Sequence, residues 1–172
     1  YQFCGDWEVS SQKFPDIKDF VARVHETGMK VMLWFSVPYI GINAKNYKVF
    51  QDMLLDEPNK RKKHFALDPR YKAVRDYLIG IYAKAVGEWG FDGLKLDFID
   101  DFVLKGKLQE YDPRRDHQSL EDAIDTLMTD VAAALRGINP EVLIEFRQSY
   151  VGPAIRKYGN MLRVCDCPND AL

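Results

Sequence analysis

Four short apolar runs, each preceded by a stretch with helical periodicity, constrain the fold of this chain more than any other feature. Residues 30–35, between Gly28 and Pro38, are β-branched and aromatic and too brief for a helix, so they read as a buried strand. Residues 93–98, 142–146 and 161–164 read the same way. Ahead of the first run, Asp16 is placed to cap a helix over residues 17–27, with Ile17, Phe20, Val21 and Val24 on one stripe and Gly28 at its end. Leu67-Asp68-Pro69 is expected to start a second helix, carried by Val74, Leu78, Ile81, Tyr82, Ala85 and Val86 to about Trp89. Ser119 and Asp122 mark the start of a third, with Ala123, Leu127, Val131 and Leu135 buried and its end before Gly137. Short helices are expected near residues 45–52 and 152–158, and a fifth short strand at 64–67. Alternation of this kind means a parallel sheet with helical crossovers, doubly wound or barrel-shaped. No Gly-rich phosphate cradle follows any strand, so a nucleotide-binding doubly wound fold has no motif behind it. Four clear strands are too few to close an eight-stranded barrel of about 250 residues. Residues 1–172 are therefore expected to form a single domain whose parallel sheet is either open or the middle of a larger barrel.

Composition narrows the function. With 47% hydrophobic residues the chain can bury one sizeable core, and a formal charge of −2 without a long basic tract gives a nucleic-acid backbone nothing to bind. The run from Lys60 to His64 reads as a solvated loop. No apolar stretch has the roughly 18 residues a membrane helix needs. Cys4, Cys165 and Cys167 form no even disulfide framework, and a lone Cys165-Asp166-Cys167 is a weak zinc signal. Asp100 and Asp101 read as a solvated turn or helix cap rather than a divalent-metal cluster, and His25, His64 and His117 are scattered and expected at the surface. No metal or cofactor is expected. The chain starts at Tyr1 without a signal-like segment, as a trimmed fragment would, which leaves cytoplasmic and exported locations both open.

The chemistry points to carboxylates. Asp97 closes the run Gly93-Leu94-Lys95-Leu96-Asp97-Phe98, at the C-terminal lip of a strand, where a βα barrel keeps its reacting groups. Asp166 follows the last strand-like run, and two facing carboxylates are the equipment for cleaving a glycosidic bond. Lys95, two residues before Asp97, shares its strand face, and its burial is costly without a carboxylate or polar ligand. Trp34 divides between barrel core and a platform beside the site.

Gly5-Asp6-Trp7, Lys13-Phe14-Pro15, His25-Glu26-Thr27-Gly28-Met29-Lys30 and Leu33-Trp34-Phe35, followed by Leu67-Asp68-Pro69, Val74-Arg75-Asp76-Tyr77-Leu78, Lys95-Leu96-Asp97 and Arg163-Val164-Cys165-Asp166, resemble in order the catalytic barrel of the melibiases, glycoside hydrolase family 36. The resemblance implies a fold, an incomplete part of a (β/α)8 TIM barrel with parallel strands, and a retaining α-galactosidase-type enzyme with Asp97 as nucleophile and Asp166 as acid/base. It also implies that Lys95, Trp34 and Arg163 hold an oligosaccharide or glycoside substrate. The chain departs from the pattern at Leu96, Ile99 and residues 147–152, positions that shape the sugar pocket, so the chemistry carries over better than the identity of the sugar. Two other classes remain open from the residues: a Schiff-base lyase using Lys95, and a non-catalytic carbohydrate-binding barrel piece. A fragment with an open sheet is further expected to self-associate.

Overall fold

A computed structural model describes residues 1–57, 61–104, 111–147 and 152–163. The core is a four-stranded, wholly parallel sheet of β1 (Met32–Ser36), β4 (Gly93–Asp97), β5 (Leu143–Arg147) and β6 (Met161–Arg163), in that order. Inserted after β1, β2 (Tyr39–Gly41) and β3 (His64–Ala66) form a separate antiparallel pair. The helices are α1 (Ile17–Glu26), α2 (Tyr47–Phe50), α3 (Lys72–Gly87) and α4 (Leu120–Ile138), with 3₁₀ turns at Ile99–Asp101 and Ile155–Lys157. The strand expected at 64–67 thus exists outside the parallel sheet, and its partner β2 had no counterpart in the sequence reading. The helix expected over 152–158 contracts to one 3₁₀ turn.

Local signals set the two amphipathic helices. The Asp16 carboxylate accepts from the Asp19 amide and the Ser119 hydroxyl from the Asp122 amide, satisfying first-turn donors that a helix leaves open. Gly28, at φ +77°, ends the first helix in a backbone region open to glycine. α4 runs on through Gly137 to Ile138. α3 starts at Lys72, four residues later than the position of Asp68 suggested, because the Asp68 carboxylate serves another purpose. It is fully buried and takes Arg70 in a two-pronged pair, Nε to Oδ1 at 2.9 Å and Nη2 to Oδ2 at 2.8 Å, with Arg115 Nε 3.3 Å from Oδ2. Alongside, buried Arg75 bonds the Pro69 carbonyl at 2.7 Å and pairs with Asp116, holding that carboxyl below the usual range. These ions join the segment entering α3 to the segment entering α4. Helices run antiparallel to the strands they connect, so both segments lie at the C-terminal edge of the sheet.

Strand alternation sorts the two faces. Phe35, Leu94, Leu96, Ile144 and Phe146 are buried on the face covered by helices, where the Phe35 ring packs on Tyr82 of α3 at 5.0 Å. The opposite face carries Trp34, Ser36, Lys95, Asp97, Glu145 and Arg147, as a barrel lumen would. Gly93 sits where β4 and β5 approach too closely for a side chain: a Cβ there would fall 2.2 Å from the Leu143 carbonyl oxygen. Gly93→Ala is therefore expected to destabilise the chain by about 3 kcal/mol, the upper end of overpacking costs, read as a lower urea midpoint at unchanged slope.

Candidate active site

Asp97 is the last residue of β4 and only 7% exposed. Both of its oxygens are held. The Phe98 amide donates to Oδ1 at 3.0 Å, and the Trp34 indole Nε1–H donates to Oδ2 at 2.9 Å, while Lys95 Nζ stands 3.9 Å from Oδ2. A carboxylate that accepts a separate donor on each oxygen, with a lysine side chain alongside, is fixed in orientation. Trp34 is brought there by β1, in register with Lys95, and remains 38% exposed, so it is a wall of the site and not core.

Register extends the site along two rows. Asp97 lies between Ser36 and Arg147, and Arg147 pairs in turn with Arg163; one row down, Lys95 lies between Trp34 and Glu145. Neighbouring strands are about 4.8 Å apart, which puts the Arg163 backbone about 10 Å from that of Asp97. Asp97, Lys95, Trp34 and Arg163 therefore share one lumen face. Asp166, with Cys165 and Cys167, lies outside the described residues. Arg147 is the first residue of the departing stretch 147–152, and Glu145 is a further site residue that the alternation Leu143-Ile144-Glu145-Phe146-Arg147 marks as a polar position on the same face.

An aromatic rim surrounds the carboxylate. Phe98 packs against Trp34, Tyr39 and Tyr1, and the His64 ring lies 4.8 Å from that of Tyr39. His64 is thus half-buried in this cluster rather than a plain surface residue, while exposed His25 pairs with Asp92 at 2.8 Å beyond the other end of the sheet. Asp101 is not a freely solvated turn residue: it accepts the Tyr39 hydroxyl, and burial together with that carboxylate pushes the Tyr39 phenol well above its usual range. The bond ties the β2–β3 pair to the turn after Asp97. No signal local to either residue could have revealed a contact across this separation. Cys4 Sγ donates to the Tyr39 carbonyl at 3.6 Å, and burial pushes its thiol up to about 11. Among the described residues no group of three or more His, Cys, Asp or Glu side chains is placed to hold a metal.

This arrangement of a strand-lip Asp on a parallel sheet sits within a known family model: the melibiase model matches residues 2–157. The chain belongs to the melibiase family. An α-galactosidase of Lactobacillus acidophilus is 32% identical over 100 residues, which is 55% of this chain and 13% of that protein. The crystal structure of the α-galactosidase from Lactobacillus brevis matches with a TM-score of 0.74 at 26% identity, over 96% of this chain and 23% of that one. A family 36 α-galactosidase from Geobacillus stearothermophilus, in complex with raffinose, gives 0.74 at 20% identity over 96% and 24%. The melibiase-family chain described here thus spans 13% of its Lactobacillus acidophilus relative and about a quarter of the solved ones, and its four parallel strands match part of their TIM barrel.

Proposed function

We propose that this chain carries part of the catalytic centre of a retaining α-glycosidase, which hydrolyses terminal α-galactosides by double displacement. The observation that supports it most is Asp97 itself, buried at a strand lip with both oxygens engaged by donors and a lysine alongside. In the first step a carboxylate oxygen of Asp97 attacks the anomeric carbon. The glycosidic C–O bond breaks as the departing oxygen takes a proton from Asp166, leaving a glycosyl ester on Asp97. In the second step Asp166 takes a proton from water, the water oxygen bonds to the anomeric carbon, and the ester bond to Asp97 opens. Retention by this route calls for carboxyl groups roughly 5 to 5.5 Å apart.

Lys95, Arg163 and the exposed face of Trp34 serve this scheme as contacts to sugar hydroxyls and to the ring. The raffinose held by the Geobacillus stearothermophilus relative supports an oligosaccharide substrate. A panel of aryl α-glycosides assayed on the full-length protein tests the reading, with turnover expected for the galactoside. An activated 2-fluoro-galactoside is expected to label Asp97 covalently, seen by peptide mass spectrometry. A full-length protein that hydrolyses no member of the panel, or a label on another residue, overturns the reading.

A further inference from the structure

Among the described residues two that are not glycine have left-handed backbones, Trp7 at φ 50° and Phe98 at φ 65°. Both touch Trp34. Their rings meet the indole edge to face, with centroids 5.9 Å away for Trp7 and 6.3 Å for Phe98. A bulky residue with positive φ is an outlier held by its surroundings, and such outliers gather at functional sites. Here the two brace the indole that donates to Asp97 Oδ2.

The conformation of Phe98 has a specific consequence. Its amide is engaged by Asp97 Oδ1, so rotation about its N–Cα bond decides where the ring and the following chain go. At φ 65° and ψ 26° the chain turns directly into Ile99–Asp101 and the ring lies against Trp34, Tyr39 and Tyr1. We infer that Phe98 is a positioning residue for Asp97: one left-handed turn lets it donate its amide to Oδ1 and brace the indole that donates to Oδ2. Both oxygens of the carboxylate are then oriented by a single backbone state. The inference rests on the reading of Asp97 as nucleophile.

Three variants of the full-length protein test it, assayed on an aryl α-galactoside. Phe98→Val, whose branched Cβ opposes the left-handed turn, is expected to lower kcat about 30-fold with KM within about threefold, as misplacement of a reacting group does. Phe98→Gly and Phe98→Ala both lose the ring and differ by one methyl group. Glycine adopts the turn without cost, so it is expected to be faster than alanine by about fivefold, and this pair decides the matter should the valine variant fail to fold. Equal kcat for glycine and alanine, or a loss confined to KM, overturns the inference. Asp97→Asn, run in parallel, separates the two failures. If it is inactive while the Phe98 variants match wild type, Phe98 alone is misassigned; if it keeps wild-type turnover, the nucleophile reading fails and the role of Phe98 goes with it.

Discussion

Asp97→Asn in the full-length protein is expected to lower turnover of an aryl α-galactoside by at least about 10⁴-fold, the scale on which loss of a nucleophile is felt. The substitution preserves shape but replaces one oxygen with an amide nitrogen that cannot accept. Either the Phe98 amide or the Trp34 indole then loses its acceptor, because each now bonds a different oxygen of Asp97. That single lost hydrogen bond costs about 1 to 2 kcal/mol of stability, so thermal unfolding is expected to shift by only a few degrees. Catalytic loss with a near-native melting curve separates a chemical role from a structural one. In Asp97→Gly, azide has room to attack the anomeric carbon from the face the carboxylate occupied, and partial recovery with an inverted glycosyl azide product is expected, detected by NMR. Recovery with retained configuration contradicts the assignment.

Asp68→Ala is expected to be the most destabilising single change at a polar side chain among the described residues, costing about 3 to 5 kcal/mol. Asp68 is 0% exposed and Arg70 4%, and the Arg115 side chain also lies within the protein. Removing the carboxylate breaks the two-pronged pair with Arg70, takes away the negative charge that Arg115 faces, and leaves a cavity where the buried side chain stood. The loss is a large share of the 5 to 15 kcal/mol that keeps a domain folded. Asp76→Ala is the control: Asp76 pairs with Lys72 at 2.7 Å on the surface of α3, where such a pair contributes about 0.5 kcal/mol or less. Urea denaturation of both variants checks the contrast, and equal midpoints would contradict the role given to the buried ions. Because these ions join the segments entering α3 and α4 beside the C-terminal edge of the sheet, loosening them is also expected to weaken substrate binding.

How much of this was legible in the sequence differs by element. Asp16 and Ser119 announced their helices because a cap bonds an amide three residues away, and the stripe from Ala123 to Leu135 repeats over the same short range. Asp68 looked like another helix start and is a buried counterion instead, since its second arginine, Arg115, comes from a distant loop. Asp97 and Lys95 were legible as a same-face pair on one strand. The donors that hold Asp97 were only half legible: Trp34 was a candidate for the site, but not as a hydrogen-bond donor, and Phe98 carried no signal of its left-handed turn.

By itself the sequence determined the alternation of helix and strand, the caps that begin two of the helices, and the acidic residue at the lip of β4, because each depends on interactions within a few residues. Only the tertiary structure decided that β1 lies beside β4 so that an indole 63 residues away reaches Asp97, and that β2 and β3 leave the parallel sheet to pin Tyr39 onto Asp101. Strand register and ion pairing across loops are settled by burial of the whole chain at once, when the apolar face of the sheet closes against its helices and the polar face is left to line the site.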